Sequence, residues 1–573
     1  MPSSVERVFE TDVLVIGGGG AACRAAIAVH DAGARVLVAL KGAFLASGAT
    51  VAPGRGVAWQ AADDCSSPED SPGVHLRNIL DAGLGMADPR LARLVAYEVL
   101  DRMAELEAWG LRFAPDPHGR KRHFTAYSCF GDQPRAHSIL NSGHGHAGDI
   151  VAVLGEQMAR RYIPLHEGVL ISDLLVRDGA CVGAVGLDLD GRAVLYRAGA
   201  VVLGAGGARQ MFPPAGAPID TTGDGYAMAL RAGAELANME FAQFMLHVLP
   251  QGASVQVVGS PWALYPTVRN RLGEDALAPY LPAGVSPEEA LWARTLHAPF
   301  SSRDASGWLD VAIASEVLAG RGSPEGALWV DFDGVDLSRF VPSRPMHLPR
   351  DEDEPVVLPE RPMLVTSVAH AINGGVLIDE HGASSVPGLY AAGEVAAGPH
   401  GADRLGGGMV TNCQVFGERA GRHAAAYARG SARAVLPGDA LDAALAQLAP
   451  NPGADDAMEG LLADLQTATG RHLMVVRDAA GLEGLLDTID ILEGERLPRA
   501  RAHSTAERRR RVEATSSLTV ARLMATAALR RTESRGSHFR RDYPSRDDAR
   551  WRASIVLSLR DGRLRVEERA LGQ

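Results

Sequence analysis

Cysteine is scarce in this chain: 573 residues include only Cys23, Cys65, Cys129, Cys181 and Cys413, with no CxxC pair. That spacing argues against a disulfide framework and against a self-contained iron–sulfur or zinc site, so no metal is expected and the compartment is read as reducing, hence cytoplasmic. Positive charge is also short. Against 69 Asp and Glu there are 57 Lys and Arg, a net charge of -12, which argues against a nucleic-acid partner and for small-molecule chemistry. No apolar run reaches the ~18 residues of a membrane helix, and the stretch from Ala198 to Leu203 is stopped by glycines. The segment before the first strand is too short to hold a signal peptide. The expectation is therefore no direct membrane span, with any membrane association passing through a partner protein.

Glycine, by contrast, is plentiful at 64 residues. The length exceeds what one hydrophobic core serves, so about two to four domains are expected. Asp12 to Ile16 is a short β-branched run leading into Gly17-Gly18-Gly19-Gly20-Ala21-Ala22; Ala21 to Ala32 reads as a helix and Arg35 to Leu40 as a second strand. That is one βαβ unit. Helical spacing recurs from Pro89 to Trp109 and from Gly148 to Arg161. Strand alternation appears from Leu170 to Val176 and from Val182 to Leu187, with a turn at Asp190-Gly191 and a buried strand at Ala200 to Leu203. Met239 to about Pro362 is rich in Pro, Trp and acidic residues and shows no sheet pattern, so it reads as an inserted capping domain. Strand pieces resume at Val376 to Ile378 and Gly388 to Ala392, followed by a helix from Met409 to Arg429, and Ala440 to Arg531 is mainly helical. The predicted division is 1–240 and 363–435 for a Rossmann-like α/β domain, 241–362 for an α+β cap and 436–573 for a helical C-terminal domain. The run Arg508 to Arg511 reads as a solvated helix face.

The glycine turn carries the first chemistry. Gly17 permits a tight turn, Gly19 and Gly20 let backbone approach a pyrophosphate, and the small Ala21 and Ala22 let the helix pack on the sheet. Unpaired amides at the helix N-terminus favour the anion. The end of the second strand normally supplies an acidic residue to the ribose; Leu40 and Lys41 stand there instead, which lowers the odds of NAD.

Ser47-Gly48-Ala49-Thr50, Leu203-Gly-Ala-Gly-Gly207, Gly223-Asp224-Gly225, Met239-Glu240-Phe241, Gly393-Glu394-Val395, Arg531-Thr-Glu-Ser-Arg535 and Asp542-Tyr-Pro544-Ser-Arg546-Asp-Asp548 follow one another in this order. Together they resemble the flavoprotein family of succinate dehydrogenase, fumarate reductase and L-aspartate oxidase across nearly the whole chain. The resemblance implies bound FAD. Its contacts would come from the glycine turn, Lys41, Ser47, Thr50, Ala52, Gly54, Gly56, Ala205 and Gly206, from Asp224 and Glu394 at hydroxyl groups, and from Arg404, Met409 and Val410 at the flavin. An N-cap role on the helix Tyr226 to Gly233 is the rival reading of Asp224. Some relatives attach FAD covalently through a histidine beside the Ser-x-x-Thr segment; Gly48 and Ala49 stand there, so the FAD is expected to be non-covalent.

For the substrate, a small-molecule carboxylate or carbonyl compound, the resemblance implies hydride transfer at a carbon beside a carboxylate. Arg303 would handle the proton, and His370 and Arg404 would bind the carboxylate. The family's Gln-Phe-His-Pro-Thr reads Gln243-Phe244-Met245-Leu246-His247, so its histidine is lost or displaced to His247. Succinate, fumarate and aspartate are therefore not the expected substrates. The expected activity is α,β-desaturation or enoate reduction. The alternatives are amine oxidation of the aspartate-oxidase kind, or service as the flavoprotein subunit of an electron-transfer complex with an iron–sulfur partner.

Overall fold

The computed structural model describes residues 5, 7–51, 58–116, 118–121, 131–140, 142, 146–213, 220–249, 255–256, 260–335, 361–431, 438–453 and 457–570. Ala52, Gly54 and Gly56 lie outside the described residues.

The strand Arg7–Ile16 is the centre of the main sheet. Val13, Leu14 and Val15 are fully buried because helices cover both faces, so the strand reads as an apolar run without alternation. It pairs in parallel with Val36–Ala39 on one side and Ala193–Leu203 on the other, with Ile16 level with both Ala39 and Leu203. The sheet continues outward in parallel to Leu165–His166 and in antiparallel fashion to Ala180–Leu187 and Leu170–Arg177, while Leu389–Ala391 joins Ala193–Leu203 in parallel. Three parallel strands thus end at one level, and the glycine segments 17–20 and 204–207 leave from that edge, where open α/β sheets hold their ligands.

Helix Gly20–Asp31 lies directly on helix Gly408–Gly430. A Cβ on Gly417 would stand 2.7 Å from the Ala21 carbonyl oxygen, and one on Gly421 would stand 2.3 Å from that of Ala25. Two stretches almost 400 residues apart in sequence are thereby pressed backbone to backbone, as Gln414 Nε2 donating to the Gly20 carbonyl at 3.2 Å also shows (|i−j|=394).

The stretch 241–362, expected as an α+β insertion although its sequence shows no sheet pattern, holds strands. Ala242–Val248, Val255–Gln256, Thr267–Arg269 and Leu328–Asp331 build an antiparallel sheet together with Met363–Ile372. Ala242 to Leu246 is buried on both faces, so its sequence has no polar alternation, and its partner strand is more than a hundred residues away. This sheet has a core of its own, with Leu246, Trp262, Val268, Leu309, Ile313, Leu328 and Val365. Pairing thus carries the cap's sheet past residue 362 to Ile372.

The C-terminal part carries the helices Ala457–His472, Ala479–Ile491 and Thr505–Arg530, the last opened by a reciprocal Ser504–Glu507 capping box. A final hairpin, Ala553–Arg560 and Arg563–Ala570, joins a third sheet through Leu236–Ala237. The arginine run is not simply a solvated face. Arg508 donates to the carbonyls of Leu448 and Gly191, and Arg509 donates to those of Gly168, Leu187 and Lys41. Stranded carbonyls at loop ends claim these guanidinium groups, which periodicity along the helix cannot reveal.

Candidate functional site

One cleft runs along the carboxyl edge of the main sheet, lined by Gly17 to Ala21, Lys41, Ser47 to Thr50, Ala205, Gly206, Asp224, Glu394, Arg404, Met409 and Val410, and closed on the cap side by Met245, Ala298, Pro299 and His370. Gly17 has φ +122 and its Cβ would stand 2.3 Å from the Gly204 carbonyl oxygen, so both conformation and space demand glycine. Ala22 lies behind the wall, where a Cβ on Gly204 would meet its own Cβ at 2.8 Å. Gly19 caps helix Gly20–Asp31 without any side-chain bond, and the first turn holds no acidic residue. Its amide ends therefore face the cleft with their partial positive charge uncompensated. Thr50 Oγ1 lies 3.4 Å from the Gly20 amide. Across the cleft, helix Gly408–Gly430 begins at Gly407, φ +79, again with no side-chain cap.

Lys41 Nζ donates to Thr222 Oγ1 at 2.6 Å and to Asp224 Oδ2 at 2.8 Å, and it pairs with Glu513 at 3.0 Å. Burial alone would lower the Lys41 pKa; Asp224 and Glu513 outweigh it and raise it. Asp224 is not the N-cap of its helix. Gly223, in the left-handed region, takes that position because the turn needs φ +87, and Asp224 opens the first turn. Its second oxygen, Oδ1, is buried without a protein partner. Glu394 is buried, accepts from the Ile372 amide at 3.0 Å, and lies where a Cβ on Gly207 would clash at 2.3 Å. These features fit a dinucleotide: uncapped amides for phosphates, an orphaned carboxylate oxygen for hydroxyls, and apolar walls for rings.

At the cap end, a fully buried Gln243 organises the charges. Its Nε2 donates to Asp403 Oδ1 at 2.8 Å, and its Oε1 accepts from Arg404 Nε at 3.0 Å. Asp403 Oδ2 lies 3.3 Å from Arg303 Nε. Arg303 also approaches His297 Nε2 at 3.3 Å, and His297 Nδ1 lies 2.8 Å from Asp304 Oδ2. Arg404 and His370 stand in the cleft wall, whereas Arg303 and His247 are not part of it; Arg303 is tied to the wall through Asp403. His370 is held well below its usual pKa by burial, then by Arg404 and Arg209, and is neutral at pH 7. Burial and Arg209 bring His247 down to about 4, and burial and Arg404 bring His400 to about 3.

Sequence reasoning missed Gln243 as a hub, although it stands in the quoted Gln-Phe segment, and Asp403, although it stands beside Arg404. It also missed His297 and the cleft-lining Arg209, whose Nε is buried without a partner. His297 follows no motif, so its signal was absent from the sequence.

The chain belongs to the FAD binding domain family, whose model matches residues 12–410, and residues 462–571 match the fumarate reductase flavoprotein C-terminal family. It is similar to a fumarate reductase (CoM/CoB) of Methanothermobacter marburgensis, in one subunit of which 98% of the length is covered at 32% identity by 96% of this chain. The L-aspartate oxidase of Streptomyces coelicolor is also 32% identical, over 96% of this chain and 92% of the relative. The solved structure of Mycobacterium smegmatis Sdh1 in complex with UQ1 superposes with a TM-score of 0.83 at 28% identity, covering 99% of this chain and 95% of that one. The chain is thus an FAD-dependent oxidoreductase of the fumarate reductase, succinate dehydrogenase and L-aspartate oxidase family. Among the described residues no helix is long and apolar enough to cross a membrane.

Proposed function

We propose that this protein reduces, or forms, a carbon–carbon double bond α,β to a carboxylate or carbonyl, on substrates whose far end is uncharged. The observation that supports it best is the Gln243 hub, which holds Arg404 and Asp403 in one register and so ties Arg303 to the same cleft. Bound FAD supplies the two-electron hydride chemistry. Gly17 to Ala21 and helix start Gly408 would hold its phosphates and flavin, with Asp224, Lys41 and Glu394 at its hydroxyl groups. Arg404 offers a forked donor for a substrate carboxylate, neutral His370 donates a hydrogen bond to the same group, and Arg303 moves the proton at its guanidinium. His247, outside the cleft wall, is not needed in this scheme.

The wall of Met245, Ala298 and Pro299 is itself apolar and offers no charge to a second carboxylate, while Arg209, also in the lining, lies close enough to His370 to lower its pKa. Crotonate should therefore reoxidise the reduced flavin at least about tenfold faster than fumarate, a difference of ~1.4 kcal/mol, measured anaerobically by the return of flavin absorbance. Turnover of succinate, fumarate or aspartate at the rate of a dedicated enzyme defeats this specificity. Among the described cleft residues His370 is the one histidine, and it stands on the cap side, which supports dissociable FAD; acid precipitation should release the yellow colour.

The likeness to an L-aspartate oxidase supports a second reading, amine oxidation with oxygen as acceptor. Hydrogen peroxide formed with aspartate would favour it. The likeness to a protein described as one subunit of a fumarate reductase supports an electron-transfer partner, for which the proposed chemistry is an iron–sulfur protein.

A further inference from the structure

His297 directly follows helix Pro287–Leu296, is 1% exposed, and points both ring nitrogens at charged groups. Nδ1 stands 2.8 Å from Asp304 Oδ2, and Nε2 stands 3.3 Å from Arg303 Nη2 and 3.6 Å from Asp403 Oδ2. An ionised carboxylate only accepts and a guanidinium only donates. Hydrogen-bond roles that satisfy both neighbours place a hydrogen on Nδ1, facing Asp304, and turn the Nε2 lone pair to Arg303.

We propose that His297 is a positioning residue for Arg303: its Nε2 accepts from the guanidinium and fixes it, while Asp403 holds Nε at 3.3 Å. This rests on the reading of Arg303 as the proton carrier. The other groups around the ring are Ser306, whose Oγ lies 3.4 Å from Nδ1, and Arg294, which donates to the His297 carbonyl at 3.4 Å and is paired with Asp310 at 2.9 Å. Loss of the ring removes the Nε2 acceptor from the guanidinium. Arg303 then loses its fixed orientation.

In enoate reduction the double bond gains two electrons and two protons: the donor supplies the two electrons, solvent supplies the proton that would travel with them as hydride from the cofactor, and Arg303 gives the second proton, which it recovers from solvent. Orientation of Arg303 governs the proton step and not substrate binding, so loss of His297 acts on kcat and spares KM.

The test uses the full-length FAD-loaded protein, reduced benzyl viologen as electron donor, and crotonate and fumarate as probes. In H297L, kcat should fall about 10²-fold with KM changed less than about threefold. In H297Q, whose Oε1 can supply an acceptor in place of Nε2, kcat should stay within about tenfold of the parent. Flavin content confirms that each variant is folded, and a crystal structure of H297L should show the Arg303 guanidinium turned from its contact with Asp403. Parental kcat in H297L, or a kcat in H297Q as low as that of H297L, overturns the assignment while R303A remains inactive. An R303A variant that turns over normally overturns the proton-carrier reading itself, and a parent protein that reduces neither probe overturns the enoate reading.

Discussion

Around residues 17–22 the chain meets its neighbours almost without side chains, whereas around residues 531–548 it buries full charges. In the first region Gly17 touches the Gly204 carbonyl and Ala22 packs against Gly204. In the second, Arg531 Nε lies 2.7 Å from Glu240 and its Nη1 2.9 Å from Glu533, while Arg535 Nε lies 2.7 Å from Glu533; all four residues are at most 1% exposed. Arg477 donates to the Glu240 carbonyl and to His538 Nδ1, and burial, offset in part by Glu240, brings its pKa down to about 9. One region makes room for a ligand by omitting Cβ atoms. The other fastens the C-terminal segment beside Glu240, where hydrogen bonds between the charges offset much of the lost hydration and leave Glu240 Oε2 and Arg477 Nη2 buried without a partner among the described residues.

Arg531→Met should separate the two regions most sharply. It leaves Glu240 and Glu533 without a shared cation, at a cost of about 3–5 kcal/mol. Urea unfolding should show that loss, while the flavin-to-protein absorbance ratio of the folded fraction stays at the parent value. Equal loss of flavin and stability would mean that the charged core also shapes the cleft.

Gly17→Ala should do the reverse. Positive φ and a Cβ at 2.3 Å from a carbonyl oxygen impose strain of about 1–3 kcal/mol. Bound flavin after gel filtration should fall well below one per chain, with a smaller shift in the unfolding midpoint than Arg531→Met produces. Full flavin occupancy would show that the turn is not where the phosphates sit.

His75 stands between the two cases, a buried side chain held next to the cleft wall. It bonds Gln60 at 3.1 Å, and Gln60 Nε2 donates to the Gly406 carbonyl at 2.6 Å. Burial, then the positive Arg135, lowers its pKa from 6.5 to about 3. Because the folded value lies below the unfolded one, the unfolded chain binds the extra proton. Stability is therefore present above pH 6.5 and drains away as pH falls from 6.5 towards 3. Between pH 7 and 5.5 the loss from this residue is on the order of 1 kcal/mol. His75→Gln should flatten the acid slope of urea midpoints by that amount, and an unchanged slope would place the acid sensitivity elsewhere.

Legibility followed sequence distance. The βαβ unit, the strands flanking the Asp190-Gly191 turn and the long helices were read from local spacing, since each depends on neighbours within a few residues. The glycine turn was legible because only glycine tolerates φ +122 under a carbonyl. The cap's sheet was not: its strands are short, buried on both faces, and paired across a long insertion. The cap alternative for Asp224 arose because a carboxylate before a helix is an ordinary N-cap, and only the Gly223 backbone angle removes it. Arg508 and Arg509 were misread because the carbonyls that bind them come from distant loops.

The sequence by itself determined the strand–glycine–helix cradle and the cofactor class through its ordered motifs, both of which rest on backbone conformation and local periodicity. Tertiary structure alone decided that Gln243 links Arg404 with Asp403, that Asp403 and His297 face Arg303 from different segments, and that Glu240 lies buried against Arg531. Such contacts depend on directions and distances between side chains far apart in the chain, and those come into being only when the sheets and helices pack.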